Sequence, residues 1–109
     1  MADKKPRFYA TLKQRFPRYI AAVESLGEAV AEAGPLDEKA LQLIQLGAAA
    51  ASRSQGAVHS HTRRAMKAGC SPEEIHHALI ALTSTIGFPN VTAALSWVDD
   101  LMTESRSQE

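Results

Sequence analysis

Apolar residues recur at spacings of three and four along most of the chain, the signature of helices that each bury one face. Phe8 to Phe16 reads as a short first helix, and Pro17 opens a second in which Ile20, Val23, Leu26 and Val30 share a face until Gly34-Pro35 ends it. Asp37 is placed to cap a third helix, its apolar face drawn from Ala40, Leu43, Ile44 and the small residues Gly47 to Ala51, which permit close helix contact. A turn over Ser52 to Gly56 leads to a fourth helix that runs to Ala68 and stops at Gly69. Ser71-Pro72-Glu73-Glu74 is the clearest start in the chain: hydroxyl at the N-cap, proline at the first helical position, carboxylate at the third. It opens a fifth helix, from Pro72 to about Ile86. Gly87-Phe88-Pro89-Asn90 breaks the pattern, and Val91, Ala94, Leu95, Val98 and Leu101 define a sixth helix to Met102, with Thr103 to Glu109 expected to fray. No alternating strand pattern and no Asn-Gly or Asp-Gly hairpin turn competes, so the expected class is all-α.

At 109 residues the chain suits a single domain, 1–109 with its core over 36–102, in which the third to fifth helices form an antiparallel core. Short helices in so small a chain leave apolar surface uncovered, since such a chain buries only about 60–70% of its extended area. Self-association is the expected remedy. An apolar content of 45% against 22% charged excludes disorder. Twelve basic and twelve acidic residues cancel, so no global field favours nucleic acid or an anionic membrane, and neither is expected as a partner. The basic runs Lys4, Lys5, Arg7, Lys13, Arg15, Arg18 and Arg63, Arg64, Lys67 read as solvated faces, and Trp97 as a subunit contact or a ligand contact. With one cysteine, Cys70, neither an intrachain disulfide nor a cysteine zinc cluster can form. The absence of a signal-like or membrane-length apolar run completes the expectation of a cytoplasmic protein.

The stretch Leu36 to Pro89, with its small-residue helix, the HTRRAMKAG helix and the SPEEI capping box, resembles the carboxymuconolactone decarboxylase and alkyl hydroperoxidase D superfamily. The resemblance implies a six-helix alkyl hydroperoxidase D-like domain assembled as a homotrimer or hexamer. The redox branch of that superfamily uses a glutamate, a Cys-x-x-Cys pair beginning twelve residues later, and a histidine four residues beyond the second cysteine. Those positions fall here on Gln42, Ser54, Ala57 and His61. Only the histidine is retained. Thiol peroxidase chemistry passes through a sulfenic acid and a disulfide, which Ser54 and Ala57 cannot form, and an amide at Gln42 cannot accept a proton at neutral pH. The redox activity implied by the resemblance is therefore expected to be absent.

Geometry limits the other chemistry open to these residues. Cys70 precedes a helix N-cap, which favours thiolate, yet it lies beyond Gly69 and more than two turns from His61, so an inert thiol is the expectation. His59 and His61 point about 200° apart on a helix, and the adjacent His76 and His77 also lack the three- or four-residue spacing of helical ligands. No metal and no cofactor are expected. Ser54 lacks a nucleophile elbow, which sets serine hydrolysis aside. Ser54, Ala57 or Val58, and His61 share one helical face, as the pocket implied by the resemblance requires; that resemblance places Gln42, Ser54 and His61 at the pocket, with Arg64 beside it and Val58, Ile44 and Leu46 as apolar walls. Its ligand would be small and polar or anionic, accepting a hydrogen bond from His61, with affinity that depends on pH around 6 to 7. Two functions fit. One is an oligomeric small-molecule-binding or interaction protein; the other is a cysteine-independent decarboxylase or lactone-processing enzyme with His61 as general acid/base and Arg64 as the cation for a carboxylate. An acid opposite His61 would favour the enzyme, and an apolar seal around it the binding protein.

Overall fold

The computed structural model describes residues 7–107, with side chains described from Phe8 to Thr103; Lys4 and Lys5 lie outside the described residues. Seven helical segments follow one another: α1 (Arg7–Arg15), α2 (Pro17–Glu32), α3 (Glu38–Ala51), α4 (Gln55–Lys67), α5 (Pro72–Ile80), α6 (Thr83–Ile86) and α7 (Phe88–Ser107). No strand occurs among the described residues. The expected fifth helix is thus interrupted after Ile80, and its last turn, α6, is a separate four-residue segment. The last helix starts earlier than expected because only Gly87, at φ 92°, breaks the chain; Pro89 lies in the first turn, where its missing N–H costs nothing. That helix also continues past Met102 to Ser107 instead of fraying at Thr103; residues 108–109 lie outside the described residues.

Contacts divide the chain into two compact units, one up to Leu36 and one from Asp37. In the first, α1 packs on α2, the Tyr9 hydroxyl donates to the Glu24 carboxylate, and Lys13 Nζ lies 3.4 Å from the same oxygen. Ile20 is buried there, but Val23, Leu26 and Val30, predicted on the same face, are exposed.

In the second unit α3 packs chiefly on α4, and α4 and α5 both pack on α7. The core therefore draws on the last helix as well as the third to fifth. Leu46, Val58, Ile75, Leu79, Ala94 and Val98 are fully buried at its centre, and Trp97 packs against their cluster. Gly47 marks a close approach, since a Cβ there would come within 3.2 Å of Leu82 Cδ1. The buried face of α3 is Gln42, Leu46, Ala49 and Ala50, so Ile44, expected to wall the site, instead stands 56% exposed.

Local capping fixes the path of the chain through this unit. Asp37 accepts from the Ala40 N–H at 2.9 Å to start α3. The end of α3 is closed by paired bonds from Arg53 N to Ala50 O and Ser54 N to Ala49 O, both 3.1 Å, with Arg53 in the left-handed region at φ 57°. Gly69, at φ 100°, and Cys70 repeat that arrangement after α4. Ser71 and Glu74 form the predicted capping box at the start of α5. The three-residue link from Ser52 to Ser54 makes α3 and α4 antiparallel neighbours, and this places the middle of α4 beside the first turns of α3.

Candidate functional site

The antiparallel pairing brings Gln42 of α3 onto His61 of α4, with Gln42 Oε1 and His61 Nδ1 3.0 Å apart. Gln42 is buried, a polar side chain in a core position, and its other amide atom is also used: Nε2 donates to Glu38 Oε1 at 2.9 Å, one turn earlier on α3. A carboxylate only accepts, so Glu38 dictates that the amide turns its oxygen toward His61. An amide oxygen also only accepts, so Nδ1 of His61 carries the proton. In the neutral ring the lone pair is then on Nε2. This chain of three residues sets the tautomer of the histidine.

Burial, and after it the positive charge of Arg64 one turn further along α4, hold His61 below its ordinary value of 6.5. The ring is neutral at pH 7. Its free nitrogen therefore accepts hydrogen bonds or protons, whereas the sequence led to an imidazole that donates. Nε2 has no partner among the described residues and is not sealed from solvent. Arg64 is exposed on the same helix, a cation beside the ring.

Ser54 occupies a different role from the other three expected site residues. Its hydroxyl caps α4, accepting from the Ala57 N–H at 3.3 Å, and forms no bond to Gln42 or His61. Val58 and Leu46 are fully buried in the core. Glu38 is the participant that the sequence reading missed. Its signal was its position four residues before Gln42, where two side chains on one helix meet.

The remaining titratable groups stand apart. Cys70 is buried, its thiol pushed up by burial and by the nearby Glu74 carboxylate, with Sγ 3.9 Å from the Lys39 carbonyl oxygen. An elevated thiol is a poor nucleophile at neutral pH, the reverse of what a site next to a helix N-cap suggests. His76 Nε2 meets Asp99 Oδ1 at 3.0 Å, and His59 Nε2 lies 4.0 Å from Asp100 Oδ2, so two histidines of α4 and α5 face the acid pair of α7. No group of three or more His, Cys, Asp or Glu side chains arranged for a metal occurs among the described residues.

The profile of the carboxymuconolactone decarboxylase family matches residues 17–100, most of the chain. The chain belongs to that family. Among solved structures, the fold is similar to the apo crystal structure of a carboxymuconolactone decarboxylase family protein from Legionella pneumophila, with a TM-score of 0.72 and 24% sequence identity over 84% of this chain and 85% of that one. At that identity the likeness concerns the fold. No curated protein matches the chain. Within the family this member has a single cysteine and no Cys-x-x-Cys pair. No helix among the described residues is long and apolar enough to cross a membrane.

Proposed function

We propose that this carboxymuconolactone decarboxylase family member binds a small anionic molecule at a site centred on His61, in a self-associated trimer or hexamer, without thiol peroxidase activity. The carrying observation is the bond between Gln42 and His61 with the amide turned by Glu38, because it gives the site a defined chemistry. Nε2 accepts from an O–H or N–H of the ligand, and Arg64, three residues on, meets its negative charge. Ser54 contributes only at the margin, since its hydroxyl already serves the helix start. The loss of peroxidase chemistry rests on the missing cysteine pair and on a Cys70 thiol held in its protonated form. Self-association rests on the apolar side chains left exposed, including Leu26, Ile44 and Phe88.

A second reading is supported by Glu38. An acid linked to His61, even through an amide, holds the ring in the tautomer and orientation that a general base needs, and a neutral ring at pH 7 is ready to take a proton. Cysteine-independent decarboxylation or lactone processing would use Nε2 as that base and Arg64 to hold the substrate carboxylate. Mass spectrometry of molecules released when the purified protein is denatured tests both. A retained carboxylate that is lost in His61→Asn supports the site, and turnover of that carboxylate by the native protein selects the enzyme. Retention that is unaffected by His61→Asn and Arg64→Ala removes the site.

A further inference from the structure

The Gln42 amide and the His61 ring can hold two matched arrangements of protons across their 3.0 Å contact. With the amide oxygen toward the ring, the proton sits on Nδ1 and His61 Nε2 offers a lone pair. With the amide turned over, its NH2 donates to Nδ1, the ring proton moves to Nε2, and the site offers a donor instead. A third residue decides between them.

Glu38 Oε1 lies 2.9 Å from the amide atom of Gln42 that faces away from the ring. An NH2 there donates to the carboxylate, whereas an oxygen there would set two acceptors against each other. Glu38 opens α3, where the helix dipole favours a negative charge, and precedes Gln42 by four residues, the spacing at which two side chains on a helix meet. Gln42 is buried, so water offers a turned amide little compensation.

Arg64 sets the second feature of the ligand. It follows His61 by three residues on α4, a spacing that puts the two Cβ atoms about 5–6 Å apart, and its charge is felt by the ring. One small molecule meets both only if its donor and its carboxylate are close together. An ammonium would donate to Nε2 as well, but it would bring a second positive charge beside Arg64, which leaves a hydroxyl.

We infer that Glu38, acting through Gln42, makes the His61 site selective for small hydroxycarboxylates, with the hydroxyl one or two carbons from the carboxylate, over the corresponding oxocarboxylates. This selectivity rests on the proposed anion site and deepens it. An oxo group only accepts and finds no hydrogen bond at the Nε2 lone pair, whereas a hydroxyl donates. Glu38 touches no ligand in this arrangement; it is a positioning residue.

NMR on the full chain at about pH 7.5, where the ring is neutral, gives two readings. Ring-nitrogen shifts report the His61 tautomer without any ligand, and titration with lactate against pyruvate, and 3-hydroxybutyrate against acetoacetate, reports the preference. In the native protein the proton is expected on Nδ1, and each hydroxycarboxylate is expected to bind about tenfold or more tighter than its oxo partner. Glu38→Lys puts a donor where the acceptor was, so the proton is expected on Nε2 and the preference to fall to parity or reverse. Should that variant fail to fold, Glu38→Gln, of the same shape and able to donate or accept, is expected to populate both tautomers and narrow the preference. Arg64→Ala should weaken both members of each pair and leave their ratio unchanged. A tautomer unchanged in the Glu38 variants overturns the positioning role, and a tautomer that changes without the preference overturns the ligand class. Equal binding of both members by the native protein overturns the selectivity and leaves the anion site standing. Failure of all four to bind also overturns the ligand class, while the anion site itself stands or falls on the molecule retained through purification.

Discussion

Replacing Gln42 with glutamate changes little in shape and inverts the electrostatics of His61. In the wild type the Gln42 amide oxygen lies 3.0 Å from Nδ1, and burial with Arg64 keeps the ring below 6.5. Gln42→Glu puts a carboxylate at that distance. An opposite charge so close raises a histidine by about 1–3 units, and the half-buried setting argues for the lower half, about 1–2 units. At about 1.4 kcal/mol per unit, the imidazolium gains roughly 1–3 kcal/mol. The sign of the stability profile follows. In the wild type the folded value lies below the unfolded one, so the contribution of His61 is present above pH 6.5 and lost as pH falls through the folded value. In Gln42→Glu the folded value rises toward the unfolded one, which weakens that loss at low pH; where it passes above the unfolded value, the contribution is instead full below about pH 6.5 and lost as pH rises through the folded value.

The new carboxylate would also stand where Gln42 Nε2 now donates to Glu38 at 2.9 Å, and two carboxylates that close do not both ionise freely. Glu38→Gln/Gln42→Glu removes this competition and is expected to raise His61 further than Gln42→Glu alone. NMR titration of the His61 ring reads the shift directly, and urea denaturation between pH 5 and 8 reads the change in slope. An unchanged or lowered His61 in Gln42→Glu would refute the assignment of Gln42 as the partner of Nδ1. A wild-type ring protonated on Nε2 would refute the tautomer argument.

Three further predictions concern separate parts of the molecule. His61→Asn keeps a donor near the Nδ1 position and removes Nε2, so thermal stability should shift little while ligand affinity or turnover falls by about tenfold or more; unfolding with unimpaired binding by the folded fraction would assign the residue to structure. Cys70 should react with a thiol reagent far more slowly in the native protein than in denaturant, and hydroperoxide with a dithiol donor should not be turned over above background; turnover abolished by Cys70→Ser would refute this. Arg53→Gly relieves a left-handed residue that costs about 1–2 kcal/mol, against a glycine entropy of about 0.5–1 kcal/mol, so a net gain of about 0.5–1 kcal/mol is expected in urea denaturation. A loss would show that Arg53 makes a compensating contact.

The helix starts were legible because they are local chemistry. Asp37, Ser71 and Glu74 cap where their side chains predict, within a few residues of sequence. The phase of α3 was not legible, because its buried stripe contains Gln42, and an apolar count passes over a polar residue in a core position. That displaced the predicted face onto Ile44. The α2 stripe failed differently: its spacing predicted a helix and its composition a buried face, but nothing in a single sequence says whether the covering surface belongs to the same chain. Glu38 was overlooked because its role requires the amide of Gln42 to be committed to His61 across nineteen residues of sequence, which only the antiparallel packing reveals.

Of the four positions that resemble the redox motif, three carry a different residue here, and the four together form a chemically coherent set. Where that motif has a first cysteine, Ser54 holds the start of α4, so an atom that would move electrons now fixes backbone. Where it has a glutamate, Gln42 accepts from Nδ1 and donates to Glu38, so a group that would take a proton now fixes which nitrogen holds one. The second cysteine is Ala57, and the histidine remains. A carboxylate in place of Gln42 would draw the ring toward its charged form; the neutral amide leaves burial and Arg64 to decide, and both favour the uncharged ring. The retained histidine is thus a neutral acceptor at pH 7, a state suited to binding or deprotonating a donor on an anionic ligand and unsuited to stabilising a thiolate, which needs a cationic partner.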